Sequence, residues 1–138
     1  MMELYFITGN KNKFSEANSI IPYLKQLDIN LPEIQGTDAR KIIKSKLIEA
    51  LNHRKSDLVV EDTSLYMDCL NGLPGPLIKW FLEKIGNQGV YDIAKSLGNT
   101  SATAKTIIGY ARNPEEIYFF EGSISGEIVQ PKGDTNFG

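Results

Sequence analysis

The segment Thr8-Gly9-Asn10-Lys11-Asn12-Lys13 follows an apolar run, Leu4–Ile7, and sets two lysines beside a glycine. A strand that turns through a glycine into a helix leaves backbone N–H groups open. The helix start adds a partial positive charge that suits an anion. Lys11 and Lys13 add full charges, so the segment reads as a phosphate site. It is not a P-loop, because the Gly-x-x-x-x-Gly-Lys-Ser/Thr spacing is absent. Standing alone, so short a pattern is also what an ordinary capped helix start with solvated lysines looks like.

Three further clusters carry polar chemistry. Val59-Val60-Glu61-Asp62-Thr63-Ser64 places adjacent carboxylates where a strand, Leu58–Val60, is expected to stop. The carboxyl ends of strands are where open α/β sheets hold ligands, and hard oxygen donors suit magnesium. Neighbouring side chains on a strand point to opposite faces, so Glu61 and Asp62 share one ligand only if the backbone turns at Thr63-Ser64. A solvated strand end is the plain alternative. Leu31-Pro32-Glu33-Ile34-Gln35-Gly36 holds a carboxylate between a proline and a glycine; Glu33 is a surface loop acid unless it meets Asp62 across a cleft. Asn71-Gly72-Leu73-Pro74-Gly75-Pro76-Leu77-Ile78-Lys79-Trp80-Phe81 is a rigid loop running into a helix start. Its Trp80 and Phe81 read as core, with Lys79 facing away from them and able to reach a phosphate.

The elements that must position these groups follow from periodicity. Leu4–Thr8 is expected as a buried strand and Lys11–Leu24 as a helix ending just before Pro22. A second strand is expected over Leu27–Leu31. Asp38 caps a helix reaching about His53, with Ile43, Leu47, Ala50 and Leu51 on one face. Leu65–Leu70 is expected to return as a strand, Pro76 to start a helix closed by Gly86, and Tyr91–Leu97 to form one more. Ala102–Tyr110 and Ile117–Ile128, rich in Thr, Ile, Tyr and Phe and separated by Asn113-Pro114, make a long antiparallel hairpin. The fold class expected is α/β: a single domain with a mixed sheet, flanking helices and a long β-hairpin, in two lobes with a cleft.

Composition bounds the partners. The 138 residues suffice for one domain, and 41% apolar content allows an ordinary core. A net charge of −2 argues against coating nucleic acid, and RNA binding by the basic turn lacks an aromatic-basic ribbon. One cysteine, Cys69, excludes an internal disulfide, and His53 beside it makes no usual zinc set; each reads as structural, in the core and at a helix end. The longest N-terminal apolar run is four residues, too short for a signal core, and no stretch nears the roughly 20 residues of a membrane span. A soluble, cytoplasmic protein without membrane contact is expected.

Taken in order, Thr-Gly-Asn-x-x-Lys, Leu-Pro-Glu-x-Gln-Gly, Val-Glu-Asp-Thr and Gly-Leu-Pro-Gly-Pro-x-Ile-Lys-Trp-Phe resemble the inosine triphosphate pyrophosphatase family, most closely its eukaryotic members. The likeness runs from Leu4 through Ser125-Gly126-Glu127-Ile128-Val129 to Phe137-Gly138. It implies an elongated α/β fold with a central mixed sheet and a nucleotide cleft between two lobes, and magnesium-dependent hydrolysis of ITP, dITP and XTP to the monophosphate and pyrophosphate, with manganese as a substitute, usually by a homodimer. It also implies roles. Thr8, Gly9, Asn10, Lys11, Asn12 and Lys13 would hold the triphosphate, with Lys46, Asp62, Thr63 and Lys79 contacting the nucleotide and Phe137, with Gly138, near the base. Glu33 and Asp62 would bind the metal, and Asp62 or Glu61 would take the proton of the attacking water. Asn12 stands where relatives often carry a second lysine. The family continues beyond Gly138, through a Trp-Asp-Pro and a Ser-His-Arg motif, so the chain is expected to lack its C-terminal portion. The alternative from another class is an impaired nucleotide-binding or dimer-partner fragment.

Overall fold

A computed structural model describes residues Glu3–Lys132. In chain order these form β1 (Leu4–Ile7), α1 (Lys11–Ile20), β2 (Lys25–Leu27), α2 (Ala39–His53), β3 (Asp57–Met67), a 3-10 turn (Asp68–Leu70), β4 (Pro74–Gly75), α3 (Ile78–Ser96), β5 (Ser101–Asn113) and β6 (Glu116–Glu127). The strands build one mixed sheet in the order β2-β1-β3-β5-β6, with β4 paired to β3. β1 runs parallel to both neighbours, Tyr5 facing Lys25 on β2 and Leu58 on β3. Hydrogen bonds from Tyr110 to Asp57 and between Thr106 and Thr63 ascend one strand while descending the other, so β3 and β5 are antiparallel. The β5–β6 link is too short for any other arrangement, and Asn113 Oδ1 closes it by accepting from the N–H groups of Glu115 and Glu116.

The chain divides into two compact units, the first of residues through Ile34, Arg40–Glu61 and Ile108–Phe120, the second of Gln35–Ala39, Asp62–Ile107 and the chain from Glu121. In the first, α2 buries Ile43, Leu47, Ala50 and Leu51, the stripe its spacing anticipates. Gly109 on β5 lets that helix come close: a Cβ there would lie 2.3 Å from Ile43 Cγ2. In the second, Met67, Ile78, Val90, Ala94 and Ala102 form the core, with Phe81, Cys69 and Leu65 against it.

Three expectations need correction. β3 does not stop at Glu61-Asp62 and restart at Leu65; it runs unbroken to Met67, so the backbone makes no turn at Thr63-Ser64. The Thr and Tyr residues here favour continued pleating, and pairing of Leu65 and Tyr66 with Gly75 and Pro74 extends the ladder. β2 lies earlier than expected, at Lys25–Leu27, where β1 offers an edge. Gly86 does close a helix, with φ 68 and ψ 179, but the chain becomes helical again at once, so α3 is two helices joined at a kink. No helix among the described residues is long and apolar enough to cross a membrane.

Candidate functional site

The Thr8–Lys13 turn leaves the carboxyl end of β1. Its local structure is a side-chain cap. Asn10, extended at φ −91 and ψ 106, accepts from Asn12 N at 2.9 Å and Lys13 N at 3.0 Å through Oδ1, and its own N–H donates to Thr8 Oγ1. This corrects the expectation of open N–H groups, since Asn and Thr are the side chains best able to satisfy the donors of a first helical turn. Gly9 admits Asp28, whose Oδ1 would lie 3.2 Å from a Cβ at that position.

Lys13 Nζ lies 3.3 Å from Glu61 Oε1, the lysine side chain 41% exposed and the glutamate 20%. The two border an apolar recess of about 440 Å³ with Phe6, Val59, Ile108 and Phe120. Lys46 Nζ lies 3.3 Å from Glu33 Oε2. Both pairs join residues of the first unit. Lys11 and Asn12 are exposed on α1.

Asp62, Thr63 and Lys79 belong to the second unit. Asp62 is half-buried, with its Oδ2 atom fully so. Because β3 is continuous, the adjacent side chains of Glu61 and Asp62 alternate in direction along the strand. Thr63 Oγ1 is 3.2 Å from Thr106 Oγ1. Lys79 is exposed in the first turn of α3, and its Nζ sits 5.4 Å from the Trp80 ring centroid. That overturns the expected divergence of Lys79 from Trp80. Phe81 is core, but Trp80 is not: it is 42% exposed and donates from Nε1 to Gln35 Oε1 at 2.8 Å. At the break from loop to helix the indole turns outward, where its N–H finds an acceptor. Phe137 and Gly138 lie outside the described residues.

Sequence reasoning gave no role to Gln35, Asp28 or Thr106. Gln35 alone had a signal, its place in the Leu-Pro-Glu-x-Gln-Gly string. Among the described residues no group of three or more His, Cys, Asp and Glu side chains is arranged to hold a metal ion. Magnesium does not require such a cage: it keeps several waters and binds through one or two carboxylates plus substrate phosphates. Glu33 and Asp62 each offer a carboxylate oxygen of that kind, the first in one unit and the second in the other.

The profile of the Ham1 family matches residues 4–138. The chain is 36% identical over 142 residues to the inosine triphosphate pyrophosphatase of Schizosaccharomyces pombe, covering 100% of this chain and 75% of that protein. It is 40% identical over 139 residues to the inosine triphosphate pyrophosphatase of Aspergillus oryzae, covering 98% of this chain and 72% of that one. The solved HAM1 protein of Coxiella burnetii shares the fold, with a TM-score of 0.83 at 21% identity over 100% of this chain and 79% of its own.

Proposed function

Since the chain belongs to the Ham1 family, we propose that it is a nucleoside triphosphate pyrophosphatase, hydrolysing deaminated purine nucleotides such as ITP, dITP and XTP to the monophosphate and pyrophosphate. The observation that carries this reading is the Thr8–Lys13 turn at the carboxyl end of a parallel strand, with Lys13 beside Glu61. Ligands of open α/β sheets bind beyond that end.

In this reading the Thr8–Lys13 turn supplies the positive end of α1 and the Lys13 ammonium to the triphosphate, while Lys46, Lys79 and Thr63 add contacts. Phosphate oxygens would draw Lys13 from Glu61 and Lys46 from Glu33, each exchange replacing one charge-assisted partner by another. Glu33, once released, and Asp62 would hold magnesium, which when bound neutralises phosphate charge and acidifies water. The proton of the water that attacks the α-phosphorus goes to Glu61, freed once Lys13 turns to phosphate, or to Asp62. The new P–O bond forms as the bond to the bridging oxygen breaks, and pyrophosphate leaves with that oxygen.

The test is pyrophosphate release by the chain from ITP, XTP, ATP and GTP, with magnesium and with EDTA. Metal-dependent release favouring ITP and XTP is expected. Nucleotide binding without release would instead support an impaired binding or dimer-partner role, and neither binding nor release would sink both.

A further inference from the structure

Lys79 stands where a helix wants no cation. It occupies the first turn of α3, whose N-terminal end carries a partial positive charge. No side chain caps that end. An exposed lysine there pays electrostatic repulsion and, if it is to bind anything, must also give up the rotamer freedom of a long flexible stem. Two features of the structure oppose both costs. The Lys79 ammonium lies 5.4 Å from the Trp80 ring centroid, within reach of the negative face of the indole. The indole is itself held, its Nε1 donating to Gln35 Oε1 at 2.8 Å. All three residues belong to one compact unit.

From this chain of contacts we infer that Gln35 and Trp80 are positioning residues: Gln35 orients the indole, and the indole seats the Lys79 ammonium for the triphosphate. The inference rests on the proposed phosphate role of Lys79 and adds the device that prepares it. Gln35 fixes a ring rather than touching the ligand. The seat is weak enough to be left, because a phosphate oxygen is a stronger partner for an ammonium than an indole face.

Trp80 is the sole tryptophan, so its emission reports this seat directly. The experiment titrates the full chain and its variants with inorganic triphosphate and with ITP in the presence of calcium, followed by Trp80 fluorescence and by calorimetry. In the parent chain, triphosphate should change the emission as the ammonium leaves the ring. Lys79→Met should abolish that change and weaken binding. Gln35→Met should weaken triphosphate binding by about threefold to tenfold, the range expected for losing one hydrogen bond or one cation–π contact. Gln35→Glu, which still accepts from the indole, should restore the parent emission. Trp80→Phe, read by calorimetry, keeps a ring without the N–H and should weaken binding less than Trp80→Leu.

If Lys79→Met weakens binding while folded Gln35→Met and Trp80→Leu bind as the parent does, the inference is overturned and the phosphate role of Lys79 stands. If Lys79→Met leaves binding and emission unchanged, the phosphate role fails and the inference with it. Loss of binding in Gln35→Met without rescue by Gln35→Glu also overturns it, since that pattern belongs to general loosening of the loop.

Discussion

Lys13 on α1 and Glu61 on β3 meet at 3.3 Å although 48 positions separate them in the chain, joining the turn after β1 to the middle of a neighbouring strand. The pair is part-exposed, and such pairs add only about 0–1 kcal/mol to stability. Lys13→Met should therefore fold normally and melt close to the parent. Its affinity for ITP should fall about 10- to 100-fold, the worth of one charge-assisted contact to phosphate. Calorimetry with calcium in place of magnesium reads the affinity without turnover, and unchanged affinity would remove Lys13 from the phosphate site.

Glu33→Gln and Asp62→Asn should each raise the magnesium concentration needed for half-maximal pyrophosphate release. Removing one carboxylate ligand takes a full charge from a hard-cation site. Where Asp62 is the base, Asp62→Asn should also lower the rate at saturating metal, because an amide cannot accept the proton of water. A metal titration of release rates separates the two effects, and identical curves for Asp62→Asn and the parent would count against both roles.

Asn10→Ala removes the acceptor for Asn12 N and Lys13 N and should cost about 0.5–2 kcal/mol in urea unfolding. Asn10→Asp keeps an acceptor and should retain stability. Its added negative charge, however, should weaken triphosphate binding at the same turn.

Gly109→Ala should destabilise by about 1–3 kcal/mol, because the new methyl would meet Ile43 at 2.3 Å and Leu47 at 3.0 Å in a filled core. Gly122→Ala is the control: among the described residues, apart from its own chain neighbours, no atom lies within 4 Å of its Cβ position, and its change in urea midpoint should be small.

Burial, reinforced by its hydrogen bond to Asp57, pushes the Tyr110 phenol above the usual tyrosine range. The folded state thus favours the protonated phenol more than the unfolded state does. The resulting stability is fully present below about pH 10, the unfolded value, and is lost as pH rises through the higher folded value. Unfolding free energies of the parent should fall over that window more steeply than those of Tyr110→Phe, and parallel curves would contradict the assignment.

Local chemistry made much of the fold readable. The apolar spacing of Ile43, Leu47, Ala50 and Leu51 defines α2 and its buried face without reference to any partner. Asn113-Pro114 between two β-rich runs defines the hairpin of β5 and β6. Glu61-Asp62 reads as a strand end because two acids resemble a loop locally. Only the ladder with β4 and the neighbouring strands keeps the chain extended there.

The ordered motif strings of the chain carry its family, and they name the polar residues on which a triphosphate chemistry would draw. Tertiary structure alone decided which of them meet. Glu61 goes to Lys13, Glu33 to Lys46 and Gln35 to Trp80, while Asp62 alternates in direction with Glu61 along β3. Periodicity reports which face a residue takes relative to its own element. Pairing across 13, 45 or 48 residues depends instead on sheet order and helix placement, which no local pattern encodes.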